Sequence, residues 1–379
     1  MRIEKAEMKQ AVDRLKHFTT SAKAPIDPRS RLVHFVNKDG VATMFASDLK
    51  NMGKAYMQTG AEDEFEFCTT YEAVARTLSF RGKEFDIELP EGENCVLFKQ
   101  GKSEIKGPRE DDGSLGALEA LAFVPEDAKC IEINAGDFAK RLKLAGVAVN
   151  EKAKEQEIAQ SCISFASDGK DICLKSTDKF RISGWKSSES LLENDSAVMK
   201  GLLPMDCRFF PSYFDSDDMI KFYLYDGKVA CVSGKFEAYG ADIEQPFPVM
   251  EKLLEQPAVA SYEVSVGELA ASLGIVFDDS SDQEDKKKVT LLFDDDSLGV
   301  SINSKTGLAS TDSFPITKLS GDPGAKYAFP VQQRFLKEAV ASISESDKLT
   351  FELKSTKNKY YMLVYRTESG GFGMFTQMR

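Results

Sequence analysis

The segment STDKFRISGW, Ser176 to Trp185, sets a hydroxyl, a carboxylate and two cations side by side among apolar residues. Groups of that kind, held close, serve nucleophilic or acid–base chemistry. The rest of the chain offers them little help. Only two histidines occur, His17 at the end of an amphipathic stretch and His34 within an apolar run, so a histidine-based triad or metal site is a poor reading. Seven cysteines (Cys68, Cys95, Cys130, Cys162, Cys173, Cys207, Cys231) are odd in number and show no Cys-x-x-Cys spacing, which fits free thiols in a reducing cytoplasm. Neither a phosphate-cradling Gly-x-x-x-x-Gly-Lys loop nor a strand-linked Gly-x-Gly-x-x-Gly is present. Acid pairs such as Asp217-Asp218 and Asp278-Asp279 fall in loop-like runs, and the one tryptophan, Trp185, gives little surface for stacking sugars. These residues argue against an enzyme, and no cofactor or metal is expected.

The opening segment has near-copies, ASDLKNMGKA from Ala46 and STDSFPITKL from Ser310, so the elements around it decide its meaning. Ile3, Glu7, Met8, Val12 and Leu15 recur as Ile133, Asp137, Phe138, Leu142 and Ala145, and again as Val264, Glu268, Leu269, Leu273 and Val276. In each copy an acid falls at the positive end of a helix and three apolar residues fall on one face. Turn signals follow at Asp39-Gly40, Asp168-Gly169 and Asp295-Asp296, among the strand-like runs TMFA, ICLK and LGVSI. Next come Ser47-Asp48, Thr177-Asp178 and Thr311-Asp312; Ile3 to Asp48 and Ile133 to Asp178 are 45 residues, Val264 to Asp312 48. A second helix is predicted at 69–78, 204–214 and 330–343, anchored by Phe67 with Val74, Leu203 with Phe210, and Phe329 with Leu336. Alternating strands close each copy, with Asp226-Gly227 as the strongest hairpin signal. Asp178 therefore reads as a turn or strand-end residue rather than a catalyst.

The chain is thus α+β, three tandem units at 1–127, 128–256 and 257–379, each of ordinary domain size. Residues 107–129 and 253–261 read as links, and the run from Asp278 to Lys288 as a solvated loop. No apolar run reaches the roughly 18–20 residues that cross a bilayer, and the charged amphipathic N-terminus lacks a signal-peptide core, so a cytoplasmic protein with no membrane partner is expected. A net charge of −12 argues against gripping nucleic acid by bulk attraction.

Three units of this order resemble the bacterial DNA sliding clamp family, the beta subunit of DNA polymerase III, over essentially the whole chain. FASDLKNMGKA and STDKFRI are similar to that family's Thr-Asp steps, FPVMEKLL (Phe247 to Leu254) to its Phe-Pro segment, and the ending GGFGMFTQMR to its hydrophobic final strand with a Met-Arg tail. The resemblance implies two helices packed on antiparallel sheet in each unit. It also implies a head-to-tail homodimeric ring around double-stranded DNA, held by topology without sequence preference. An acidic ring is compatible with sliding, because affinity climbs steeply with the number of phosphates neutralised. The partners implied are a DNA polymerase, a clamp-loader ATPase and clamp-binding-motif peptides.

Pore-facing bases are then expected at Lys5, Lys9, Arg14, Lys16, Lys23, Arg76 and Arg81, at Lys140, Arg141, Lys143 and Arg208, and at Arg334 and Lys337. The third unit's first helix, SVGELAASLGIVF, has no base. Each lysine also fits a plain solvated helix face. The resemblance places a partner-peptide cleft at Thr177, Lys179, Phe180, Arg181, Ile182, Pro248, Lys252, Leu253, Met374, Met378 and Arg379. Here Lys179 and Phe180 replace the family's Gly and His, which predicts a preference for a different peptide. The chain-to-chain contact is expected from Lys102, Ile105 and Lys106 against Ile275, Val276 and Phe277, an apolar centre with a charged rim. The alternative from another class is a repeat-built oligomeric scaffold that never encloses DNA.

Overall fold

The computed structural model describes residues 1–20, 27–61, 64–110, 113–187, 198–276, 287–303, 309–355 and 360–378. The α-helices among them are α1 (Lys5–Leu15), α2 (Tyr71–Arg76), α3 (Gly113–Glu119), α4 (Ala135–Ala145), α5 (Glu251–Leu254), α6 (Val266–Val276) and α7 (Gln333–Val340). The three long repeat helices α1, α4 and α6 are each 11 residues long and each follows directly on a strand. Every apolar position of the repeated pattern, from Ile3 through Val276, is buried. Local capping helps: Asn134 Oδ1 accepts the Asp137 N–H at 2.9 Å, and Ser265 Oγ the Glu268 N–H at 3.3 Å.

Two hairpins turn on the residues expected. Asp39-Gly40 has φ of 52° and 76°, and Asp226-Gly227 has 45° and 69°. Positive φ at both central positions matches the twist of the flanking strands, which pair as Lys38 with Val41 and Tyr225 with Lys228.

The second helices differ from expectation. The first is α2 followed by a 3₁₀ turn at Thr77–Ser79, and the third is α7. The middle one, Cys207–Tyr213, is 3₁₀ throughout and contains Pro211, which supplies no N–H for an α-helical bond. All six predicted anchors are nevertheless buried. The segment at 107–129 is more than a link, because it forms α3, whose Leu115 is fully buried beside Phe45, Cys68 and Ala230.

Packing divides the chain into two units, Met1–Ala139 with Phe209–Asp242, and Lys140–Arg208 with Ile243–Arg379. These do not follow the repeat boundaries, because strands of successive repeats share sheets. In the first unit an eight-stranded sheet joins the second strand hairpin of repeat one to repeat two, with Ala55 opposite Phe236 and Met52 opposite Tyr239. In the second unit a nine-stranded sheet joins repeat two to repeat three, with Arg181 opposite Phe375 and Ile182 opposite Met374. Each unit also has a four-stranded sheet, and every strand ladder is antiparallel.

Candidate functional site

The loop at Thr177 to Arg181 is built by its own side chains. Thr177 Oγ1 donates to the Arg181 carbonyl at 2.8 Å and accepts the Lys179 N–H at 3.2 Å. Asp178 Oδ1 accepts the N–H groups of Phe180 and Arg181, both at 3.0 Å. The copy in the first repeat repeats each bond. Ser47 Oγ donates to the Asn51 carbonyl at 3.1 Å and accepts from Leu49 at 3.0 Å, while Asp48 Oδ1 accepts from Lys50 and Asn51 at 2.9 and 2.7 Å. Leu49 and Lys179 both take left-handed φ, 75° and 78°. Asp178 is thus a turn-maker whose oxygens are occupied. Thr311-Asp312, expected as the third copy, instead lies inside the strand Ala309–Pro315, opposite Ser301 and Val300.

Arg181 leaves this loop inward and is only 4% exposed. Its Nε meets Asp178 Oδ2 at 2.9 Å, another nitrogen meets Glu338 of α7, and the guanidinium lies 4.3 Å from the Phe335 ring centre. Such saturation makes it a brace for α7 rather than an accessible contact. Ile182 and Met374, also expected in the cleft, sit side by side across their ladder and are buried with Met250, Leu254, Met362, Val364 and Phe372. Those two form core beneath the surface. The short α5 explains why: Met250 and Leu254, four apart, turn inward, while Lys252 and Leu253 turn outward. Its end is fastened by Lys354 Nζ, which donates to the carbonyls of Leu254 and Gln256 at 2.6 Å each. Met250, Leu254 and Lys354 were not anticipated, although the Met250–Leu254 spacing carries the signal.

What remains at the surface is apolar and basic. Phe180 is 60% exposed, Val249 78% and Leu253 37%, with Pro248, Lys179 and Lys252 also exposed and Met378 half-buried. Lys179 is ion-paired to Glu157. The Phe180 carbonyl accepts both the N–H and the hydroxyl of Thr376, at 3.0 and 2.9 Å, tying the loop to the last strand. Arg379 lies outside the described residues.

The predicted pore bases divide. Lys9, Lys16, Arg81, Lys140, Lys143 and Lys337 are exposed. Arg76 is exposed but paired to Glu72 at 2.6 Å, and Arg334 to Glu338 at 2.7 Å. Lys5 donates to the Phe80 carbonyl at 2.5 Å, Arg141 lies over Trp185 at 4.6 Å, and Arg208 reaches the Gly146 carbonyl and Glu151, each at 3.5 Å. Arg14 does not point to solvent: it is buried, 3.0 Å from Asp215, with its guanidinium beside Phe236. Lys23 lies outside the described residues.

Among the described residues each four-stranded sheet ends in an unpaired strand, Ser103–Pro108 in the first unit and Ala309–Pro315 in the second. Beside the first, Ile105 is half-buried, Lys102 is exposed and Lys106 pairs with Glu93 at 2.8 Å. Beside the second, Ile275 is 62% exposed and its carbonyl accepts the Ser310 hydroxyl at 3.5 Å. Val276 belongs to the chain's own core at 1% exposed, which removes it from a contact surface, and Phe277 lies outside the described residues.

Neither histidine sits at these surfaces. His17 stacks on Tyr213 at 4.0 Å, and His34 is held between Glu119 at 2.6 Å and Glu66 at 2.7 Å. Burial works against the His34 charge, yet the two carboxylates outweigh it and raise its pKa above the ordinary value.

No protein-family profile matches the sequence, and no curated protein matches it. Solved structures do. The DNA polymerase sliding clamp from Bacillus subtilis matches with a TM-score of 0.84 at 12% identity, over 100% of this chain and 98% of that one. The DNA polymerase III subunit beta from Pseudomonas aeruginosa gives 0.82 at 12%, over 100% and 99%. The Helicobacter pylori beta clamp bound to a DNA ligase peptide gives 0.78 at 16%, over 100% and 99%. The chain has the sliding-clamp fold from end to end, at 12–16% sequence identity to these structures.

Proposed function

We propose that this chain, an α+β protein with the sliding-clamp fold, is a DNA sliding clamp and polymerase processivity factor. Two copies close head to tail into a ring around duplex DNA. The observation that carries this reading is the match over the full length of both chains. The three repeats at 1–127, 128–256 and 257–379 are its clamp domains. The open strand edges fit a closing contact between copies, centred on Ile105 and Ile275, in which one sheet continues into the next. Exposed Lys9, Lys16, Lys140, Lys143 and Lys337 supply loose attraction to phosphates. With Arg14 withdrawn and α6 baseless, that attraction is weak, as sliding requires.

Partners dock through exposed Phe180, Val249 and Leu253 and half-buried Met378, because large apolar side chains left at a surface mark an interaction site. The Helicobacter pylori relative's bound ligase peptide supports a peptide partner, and polymerase and clamp loader are its expected carriers in the cytoplasm. A scaffold that never encloses DNA is the second reading, favoured by the same loss of Arg14 and the same baseless helix. Negative-stain images of the full chain separate assemblies directly. Closed rings of two chains are expected, and monomers or open filaments at micromolar concentration would overturn the ring.

A further inference from the structure

We propose, on the reading of Phe180, Val249 and Leu253 as a docking surface, that Lys354 is its positioning residue. Lys354 touches no partner itself. It holds α5 rigid, so that a partner peptide meets Leu253 already in place. A surface ordered beforehand loses little freedom on binding, and its affinity is higher for that reason.

The helix α5 cannot hold itself. It has four residues, and the N–H groups of Leu253 and Leu254 both lead back to the Met250 carbonyl, at 3.0 and 3.3 Å. A single turn is too short to be stable alone, and its last carbonyls lack helical partners. Lys354, only 4% exposed, supplies them from the strand Lys348–Ser355, donating to the Leu254 and Gln256 carbonyls with Glu352 at 3.0 Å. Arg366 of the next strand reaches the same Leu254 carbonyl at 3.3 Å and Glu352 at 3.4 Å. Two cations thus meet at the negative end of α5, with one carboxylate between them. Such partners are what make a buried ammonium tolerable. The apolar grip lies on the same sheet face. Lys354 is opposite Met362 and Glu352 opposite Val364, and those two belong to the core that takes in Met250 and Leu254.

The repeats show that this fastening belongs to the fold. Ile220 faces Ile133 in the second repeat as Leu349 faces Val264 in the third. Tyr225 lies five residues beyond Ile220, and Lys354 five beyond Leu349. Phe123 lies ten residues before Ile133, and Leu254 ten before Val264. The Tyr225 hydroxyl donates to the Phe123 carbonyl at 2.6 Å, so one repeat position fastens one linker carbonyl in both copies. What differs is the chemistry. A phenol does the work in the second repeat, helped by Lys228 at 3.3 Å from the Leu121 carbonyl. A buried ammonium does it in the third, and charge-assisted bonds are the stronger kind. The third repeat's linker is the one that carries Val249 and Leu253.

The test pairs amide hydrogen exchange of residues 250–256 with fluorescence anisotropy of a fluorescein-labelled DNA ligase peptide, the partner class proposed above, both on the full chain. K354M keeps the aliphatic stem and removes the ammonium. It should speed exchange there at least about tenfold and weaken peptide binding by a similar factor. R366Q, at an exposed side chain, should change both about threefold, and it decides the test if K354M unfolds. Y225F removes the equivalent fastener in the second repeat. It should speed exchange at residues 121–124 and leave peptide binding unchanged, which a general loss of stability would not do. Unchanged exchange at 250–256 in K354M and R366Q would overturn the proposal. So would faster exchange with peptide affinity equal to the wild type's. No saturable binding by the wild type up to about 1 mM would instead overturn the docking reading, and the role of Lys354 in binding with it.

Discussion

Lys179 shows what a single residue carries in this fold. It holds a left-handed φ of 78° in a turn whose first-repeat copy puts Leu49 in the same conformation. A non-glycine residue there costs about 1–2 kcal/mol, partly offset by the entropy glycine would lose on folding. The ion pair to Glu157 is exposed and worth little. K179G should therefore raise stability by roughly 0.5–1 kcal/mol in chemical denaturation, and a loss of stability would show that the side chain is needed. His34 makes a pH prediction. Its folded pKa is raised, so its contribution is fully present below the unfolded value of about 6.5 and is lost as pH rises through the folded pKa. Lys54, 3.0 Å from Glu119, keeps that carboxylate charged in the same cluster. Unfolding free energy measured from pH 5 to 9 should fall with rising pH in the wild type and stay flatter in H34Q; parallel curves would refute the His34 assignment.

At the scale of elements, the brace from Arg181 to α7 is the strongest joint the loop makes. R181A leaves Asp178 without its cation and Glu338 with Arg334 alone, and should cost about 3 kcal/mol in urea unfolding. F180A, removing an exposed ring, should change stability by less than about 0.5 kcal/mol while weakening partner peptides. The helices α1, α4 and α6 were legible because a buried face repeats every three or four residues, and three copies in one register leave little to chance. The 3₁₀ form of Cys207–Tyr213 has its sequence signal in Pro211, which the anchor pattern of Leu203 and Phe210 does not contain. The turn chemistry of Thr177-Asp178 was legible, whereas Thr311-Asp312 was misplaced because the same dipeptide suits a strand. At the candidate site the sequence names segments but not which way their side chains face. Ile182 and Met374 went inward and Phe180 outward, a choice made by ladder register and by α5, neither of which a linear pattern contains. Arg14 was misjudged for a related reason, since its partner Asp215 lies far along the chain.

For the whole molecule, repeats that share sheets explain why packing groups the chain differently from its sequence repeats. An element order of three similar units is readable in sequence, while strand pairing between units depends on edges that meet only in three dimensions. The acidic total charge, which speaks against a gripping protein, is compatible with the proposed ring, which would hold DNA by enclosing it. That claim is tested most directly by loading the protein on a nicked circular plasmid and on the same plasmid linearised, then following retention by gel filtration at moderate salt. Protein that stays on the circle and runs off the linear form is the predicted result. Equal loss from both, with a control clamp verifiably loaded, would contradict the account and leave a scaffold with a clamp's fold.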